Sequence, residues 1–144
     1  MKVFKAKTNS DFKFIASLYN NPKNNRYLRT RKTNFKEVKK RIAIPNRKMY
    51  ILVADNKKIG YFNLQIAVDG KEVRFGIIID KPFQGWGYGK QAMRLIEKEA
   101  KKLGAKRLRL EVYKRNARAI RLYRKSGFKK TGELLEMEKK LVRY

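Results

Sequence analysis

The 144-residue sequence contains neither cysteine nor histidine. Without cysteine there are no disulfides and no thiolate chemistry. Without histidine an imidazole base is unavailable, and a zinc site would need unusual substitutes. Proton transfer is left to Glu, Asp, Tyr, a terminus, a substrate amine or water. Long apolar runs are missing too: none approaches the about 18 residues of a membrane span. Met1-Lys2-Val3-Phe4-Lys5 does not open a signal peptide. The expectation is a soluble, cytoplasmic protein with no membrane contact and no bound metal. Acids are scarce, 12 against 39 lysines and arginines, for a formal charge of +27.

What is present suits a folded domain. Apolar residues make up 42% of the chain, with eight Tyr, eight Phe and one Trp. The length fits one domain spanning residues 1–144, with enough chain to bury a core. The basic residues cluster. Between Lys23 and Lys48 there are 11 of them and one acid, Glu37; between Lys98 and Lys130 there are 14, with Glu99 and Glu111. Such a charge concentrates polyanions, so an anionic cofactor, acidic protein, nucleic acid or ribosome is an expected neighbour. The plainer alternative is a basic surface in a lysine-rich proteome.

Local patterns divide the chain. Asn9-Ser10-Asp11-Phe12 offers a helix cap, followed by Phe12, Ile15, Ala16 and Tyr19 at helical spacing. The stretch from Asn24 to Thr33 is polar and patternless, a loop. Asn34-Phe35-Lys36-Glu37 resembles a capping box and opens a second short helix that Pro45-Asn46 ends. Strands are predicted over Met49–Ala54, Lys58–Val68 and Lys71–Ile79, joined by Asp55-Asn56-Lys57 and by Asp69-Gly70. A helix from about Trp86 or Gly87 to Leu103 stops at Gly104, and a strand follows over Arg107–Tyr113. Its Leu108, Leu110 and Val112 share one face; Arg107, Arg109, Glu111 and Tyr113 share the other. Asn116 caps a helix running to Lys125, and closing strands are predicted over Phe128–Lys130 and Glu133–Val142. The pattern is a mixed α/β domain.

The chemistry concentrates in Gln84-Gly85-Trp86-Gly87-Tyr88-Gly89. Alternating glycines between a strand and a helix let backbone N–H groups face an anion, which the helix dipole also favours. This suggests a nucleotide or a cofactor pyrophosphate. A P-loop needs Ser or Thr after Gly-Lys, and here Gln91 follows Gly89-Lys90. A dinucleotide fold wants an acid about twenty residues later, where Arg107 to Arg109 stand.

Two segments together resemble the GNAT N-acetyltransferase superfamily, and in motif most nearly its ribosomal-protein N-terminal acetyltransferases. Gln84, Gly87 and Gly89 match the family's Gln/Arg-x-x-Gly-x-Gly/Ala signature. Asn116, Ala119 and Tyr123, followed by Gly127-Phe128, match Asn-x-x-Ala-x-x-x-Tyr. The resemblance spans nearly the whole chain and implies an acyl-CoA N-acyltransferase fold, a mixed and mostly antiparallel sheet flanked by helices. It implies transfer of an acetyl group from acetyl-CoA to an amine. Ile77 and Ile79 would pair through their backbones with the pantetheine arm. Gln84, Gly85, Gly87, Tyr88, Gly89 and Lys90 would hold the pyrophosphate, and Asn116 would contact the cofactor arm. Tyr123 would be the general acid. Glu111 sits at the spacing of a glutamate base in the ribosomal-protein enzymes; its plainer role is an ion pair with Arg107 or Arg109. Many relatives carry an acid two residues before the glycine of the preceding strand, where this chain has Arg74, with Glu72 farther back. The implied acceptor is a protein or peptide amine. The alternatives are a small-molecule amine acetyltransferase, or a nucleic-acid- or ribosome-associated protein that binds acetyl-CoA with little catalysis. A monomer or a homodimer fits equally well.

Overall fold

Alternating apolar residues make the middle of the chain a meander of strands, and helices cover both of its faces. The computed structural model describes residues 1–26, 32–130 and 136–141. The strands are β1 (Lys2–Lys5), β2 (Arg47–Ala54), β3 (Lys57–Ile66), β4 (Glu72–Ile79), β5 (Arg107–Glu111), β6 (Lys129–Lys130) and β7 (Glu136–Lys140). The helices are α1 (Asn9–Asn20), α2 (Phe35–Ile42), α3 (Tyr88–Lys102) and α4 (Ala117–Lys125), with a single 3-10 turn at Lys81–Phe83. One seven-stranded sheet runs in the order β1-β2-β3-β4-β5-β7-β6. Its neighbours pair antiparallel, except that β4 and β5 are parallel, joined through α3.

The two sheet faces bury different clusters, as a period of two requires. Tyr50, Leu52, Phe62, Leu64, Val73, Phe75, Leu108 and Leu110 meet Met93 and Ile96 of α3 and Tyr123 of α4. Met49, Ile51, Tyr61 and Ile78 meet Phe12, Ile15 and Leu18 of α1 and Val38 of α2. Fully burying a side chain of this size contributes roughly 1.5–3 kcal/mol, so both helix layers are anchored by several such residues. β3 and β4 approach closely at Gly60, where an added Cβ would stand 2.3 Å from the Ile78 carbonyl oxygen.

Three expectations are corrected. The first strand, β1, has no counterpart in the sequence reading: it is an exposed edge strand with little alternation to betray it. The cap of α1 is Thr8 rather than a residue of Asn9–Asp11. Its Oγ1 accepts from the Asp11 N–H, while Asp11 Oδ2 accepts from the Thr8 and Lys7 N–H groups. Burial pushes the Asp11 carboxyl up, but those backbone donors and Lys58, 3.3 Å away, outweigh it and hold it below its ordinary value. Strand β5 ends at Glu111, two residues short of Tyr113. The predicted Asn24–Thr33 loop and Glu133–Val142 strand include residues 27–31, 133–135 and 142, which lie outside the described residues.

Candidate active site

The parallel ladder between β4 and β5 is three residues long: Glu72 pairs with Arg107, Val73 with Leu108, and Arg74 with Arg109. Beyond Arg74, β4 continues for five residues against β3 alone, and the end of β5 continues against β7. The sheet is therefore split. The Asp80 N–H donates to the Ile59 carbonyl. Alternation then directs the backbone groups of Ile77 and Ile79 away from β3, toward the split. An extended chain laid there would find a strand edge to pair with.

The glycine turn closes one end of the split. Gly85 and Gly87 have φ of 86° and 84°, where a Cβ would be strained. Gly87 begins α3 with no side-chain cap, and the first helical hydrogen bond runs from the Gln91 N–H to the Gly87 carbonyl. The N–H groups of Gly87, Tyr88, Gly89 and Lys90 are thus the helix's unsatisfied donors, at the positive end of its dipole. An added Cβ at Gly87 would meet nothing within 4 Å, so the turn has room before it. Gln84 does something the motif does not reveal: its Nε2 donates to the Ile79 carbonyl at 2.8 Å, fixing the turn against the strand end. Gly89 lets α4 approach, since a Cβ there would lie 3.1 Å from Leu122 Cδ2. Tyr88 packs at the edge of the core, Lys90 is exposed, and Trp86 is 71% exposed. Arg118 of α4 brings Nη2 to 3.5 Å from the position of a Gly85 Cβ. It adds a guanidinium beside the turn; the sequence hid it among the other arginines of the helix.

Tyr123 and Glu111 occupy opposite faces of the split. Tyr123 is 8% exposed and sits edge-on to Phe75, 6.0 Å between ring centres, with Phe128 at 6.0 Å. Phe75 is the first β4 residue beyond the paired segment, so the tyrosine marks where the strands part. Burial pushes its phenol up to about 12, so it is protonated at neutral pH. On the other face, Glu111 Oε1 lies 3.1 Å from Arg74 Nη1 across the split. The expected pairing with Arg107 or Arg109 does not form. Those arginines face Asp69, Glu72 and Glu138 instead, at 3.1–4.0 Å. The reason is register: Arg107 and Arg109 have acids of β4, β7 and the preceding turn beside them, while Arg74 stands at the ladder's end nearest Glu111. Asn116 caps α4, its Oδ1 accepting from the Ala119 N–H at 3.3 Å. Asn24 joins the loop after α1 to the end of β4, through Asp80 Oδ1 at 2.8 Å and the Lys81 N–H at 2.9 Å. Among the described residues no group of three or more acids could hold a metal ion, and no helix is long and apolar enough to cross a membrane.

A sheet split after a short parallel ladder, with an uncapped helix start at one end, is the frame of an acyl-CoA-dependent acyltransferase. The chain belongs to the acetyltransferase (GNAT) family, whose model matches residues 12–128. It is 38% identical over 61 residues to an uncharacterized N-acetyltransferase of Bacillus subtilis, covering 42% of this chain and 38% of that protein. It is 42% identical over 57 residues to the spermine/spermidine N(1)-acetyltransferase of the same organism, covering 39% and 38%. These matches thus span under two fifths of the relatives' own length. In fold it is similar to the spermidine N-acetyltransferase of Vibrio cholerae solved with CoA and spermine. The TM-score is 0.84 at 22% identity, over 96% of this chain and 94% of that one. The seven-stranded sheet with four helices is the GNAT fold.

Proposed function

We propose that this protein is an acetyl-CoA-dependent N-acetyltransferase whose reaction centre lies in the β4–β5 split. The observation that carries the reading is the placement of Glu111 and Tyr123 on opposite faces of the point where the strands part. The cofactor fits what the chain offers: the outward backbone of Ile77 and Ile79 for an amide-bearing arm, and the donors of Gly87–Lys90, with Arg118, for a pyrophosphate. When bound, acetyl-CoA supplies a thioester carbonyl to an attacking amine and leaves as a thiol. Glu111 accepts the proton that the amine loses, directly or through water. Tyr123, its proton held by burial, donates to the departing sulfur. No covalent intermediate with the protein is required. Asn116, with Oδ1 committed to its helix, faces the cofactor arm through its remaining Nδ2 donors.

The acceptor reading that fits best is a small cationic amine. Glu72, Glu111 and Glu138 on the acceptor face are each matched by an arginine, so positive charge is neutralised there within a chain of +27. The Bacillus subtilis relative named as a spermine/spermidine N(1)-acetyltransferase supports it. A peptide α-amine is the second reading, favoured by the Glu111–Asn116–Tyr123 spacing and by the chain's overall preference for acidic partners. The test is acetyl transfer to spermidine, spermine and peptides with acidic second residues, using wild type and Glu111→Gln. Turnover on polyamines, reduced at least tenfold in Glu111→Gln, is expected. Tight acetyl-CoA binding with no transfer to any amine would leave a cofactor-binding protein and refute the reading.

A further inference from the structure

Asn63 of β3 lies directly across from Gly76 of β4, on the sheet face that α1 and α2 cover. Continuing the parallel register by two residues would place Glu111 in the same row, on the far side of the split. Gly76 puts no side chain into this row. A Cβ there would stand 3.0 Å from Asn63 Nδ2 and 3.8 Å from its Oδ1, so the asparagine amide occupies the space that the glycine leaves.

A chain of hydroxyls fixes which way the amide points. Asn63 Nδ2 donates to the Tyr61 hydroxyl at 3.0 Å, and that hydroxyl shares a hydrogen bond with the hydroxyl of Tyr19. Tyr61 is fully buried and its ring meets Tyr19 edge-on, 5.6 Å away, so it has little freedom to leave this arrangement. An amide in this position can turn either end toward Tyr61, and the direction of the hydroxyl chain decides. Arg41 places its guanidinium over the Tyr19 ring, 5.9 Å from its centre. The amide presents Nδ2 to the Tyr61 oxygen, which leaves the Tyr61 proton for Tyr19. Tyr61 then donates to Tyr19 and receives from Asn63 Nδ2. Asn63 Oδ1 is left with no hydrogen bond among the described residues.

The geometry points to Asn63 as the residue that positions the acceptor: its Oδ1 receives an N–H of the amine to be acetylated, in the row of Gly76 and Glu111. This rests on the N-acetyltransferase reading. An amide carbonyl accepts from an ammonium and from a neutral amine alike, so it holds the nitrogen while the proton leaves toward Glu111. The nitrogen lone pair is thereby aimed into the split. Tyr61 and Tyr19 are positioning residues that act through Asn63.

The experiment compares wild type with Asn63→Leu, which keeps volume without an acceptor, and Asn63→Asp, which keeps an acceptor oxygen. Kinetics are read with spermidine and with a peptide bearing an acidic second residue. In parallel, calorimetry titrates each amine into the CoA-saturated protein, so acceptor binding is read without turnover. Asn63→Leu is expected to raise KM and Kd for the amine about tenfold, with KM for acetyl-CoA unchanged. Asn63→Asp is expected to stay within about threefold of wild type. Tyr61→Phe, which frees the amide to turn, should fall between them. Equal amine affinity in wild type and Asn63→Leu overturns the assignment, as does equal loss in Leu and Asp variants, or no amine binding by wild type. If amines bind with the expected ranking while wild type transfers nothing, the acceptor site stands and the catalytic reading alone fails.

Discussion

Replacing Tyr123 with Phe separates two roles that the tyrosine fills at once. The ring stays, and with it the edge-on contacts to Phe75 and Phe128, both at 6.0 Å. What leaves is one hydroxyl, whose phenol is pushed up to about 12 by burial alone. At pH 8 its removal should therefore change stability by less than about 1 kcal/mol. Alkaline pH is different. The folded phenol titrates near 12 and the unfolded one at its ordinary 10.0, so the unfolded chain gives up the proton first. This contribution to stability is complete below pH 10 and is lost as pH rises through 12. At pH 11 the wild type should have lost about 1.4 kcal/mol that Tyr123→Phe keeps. Urea midpoints for both proteins at pH 8, 10 and 11 measure the divergence. The other buried tyrosines, including Tyr50 at about 12, are common to both and cancel. Acetyl transfer at pH 8 should fall at least a hundredfold, the scale of a missing general acid. Parallel urea curves at every pH would refute the burial argument, and undiminished transfer would refute the catalytic one.

Other substitutions probe the cofactor end and the sheet. Arg118→Ala should weaken acetyl-CoA binding several-fold at low salt, with the difference shrinking as ionic strength rises. Isothermal titration at two salt concentrations reads this, and an unchanged Kd at both would remove Arg118 from the site. Gly60→Ala should destabilise the protein by roughly 2 kcal/mol or more, because the new methyl would stand 2.3 Å from the Ile78 oxygen and backbone must move. Thermal unfolding within a degree of wild type would show that β3 and β4 part freely.

The long alternating strands, the helices opening at Asn34 and Asn116, and the stop at Gly104 were legible because each carries a local signal. So was the glycine turn, where glycine supplies positive φ and the helix start supplies free donors. The β4–β5 split was not. It depends on where two strands distant in sequence stop pairing, and no residue type marks Arg74 as the last rung. Partners across that split were equally hidden: the plainer role for Glu111, an ion pair with Arg107 or Arg109 on its own strand, gives way to Arg74. The same holds for the Asn63–Tyr61–Tyr19 chain: a period-two pattern puts Asn63 and Tyr61 on one face, yet only packing brings α1 over them. The motif places Gln84 at a pyrophosphate, and the structure gives its side chain a strand carbonyl to hold.

The short parallel ladder also bears on how the molecule opens. Three register pairs join β2–β4, a run nearly contiguous in sequence, to the β5–β7 arm that α3 carries across. The β2–β4 meander can assemble through hairpins alone, whereas the β5–β7 arm must wait for a longer connection to close. This junction is therefore the natural boundary between two cooperative units, and the place where sub-global opening should begin. A ligand lying along it would act as a rivet, coupling the exchange of amides on both sides to a single occupancy.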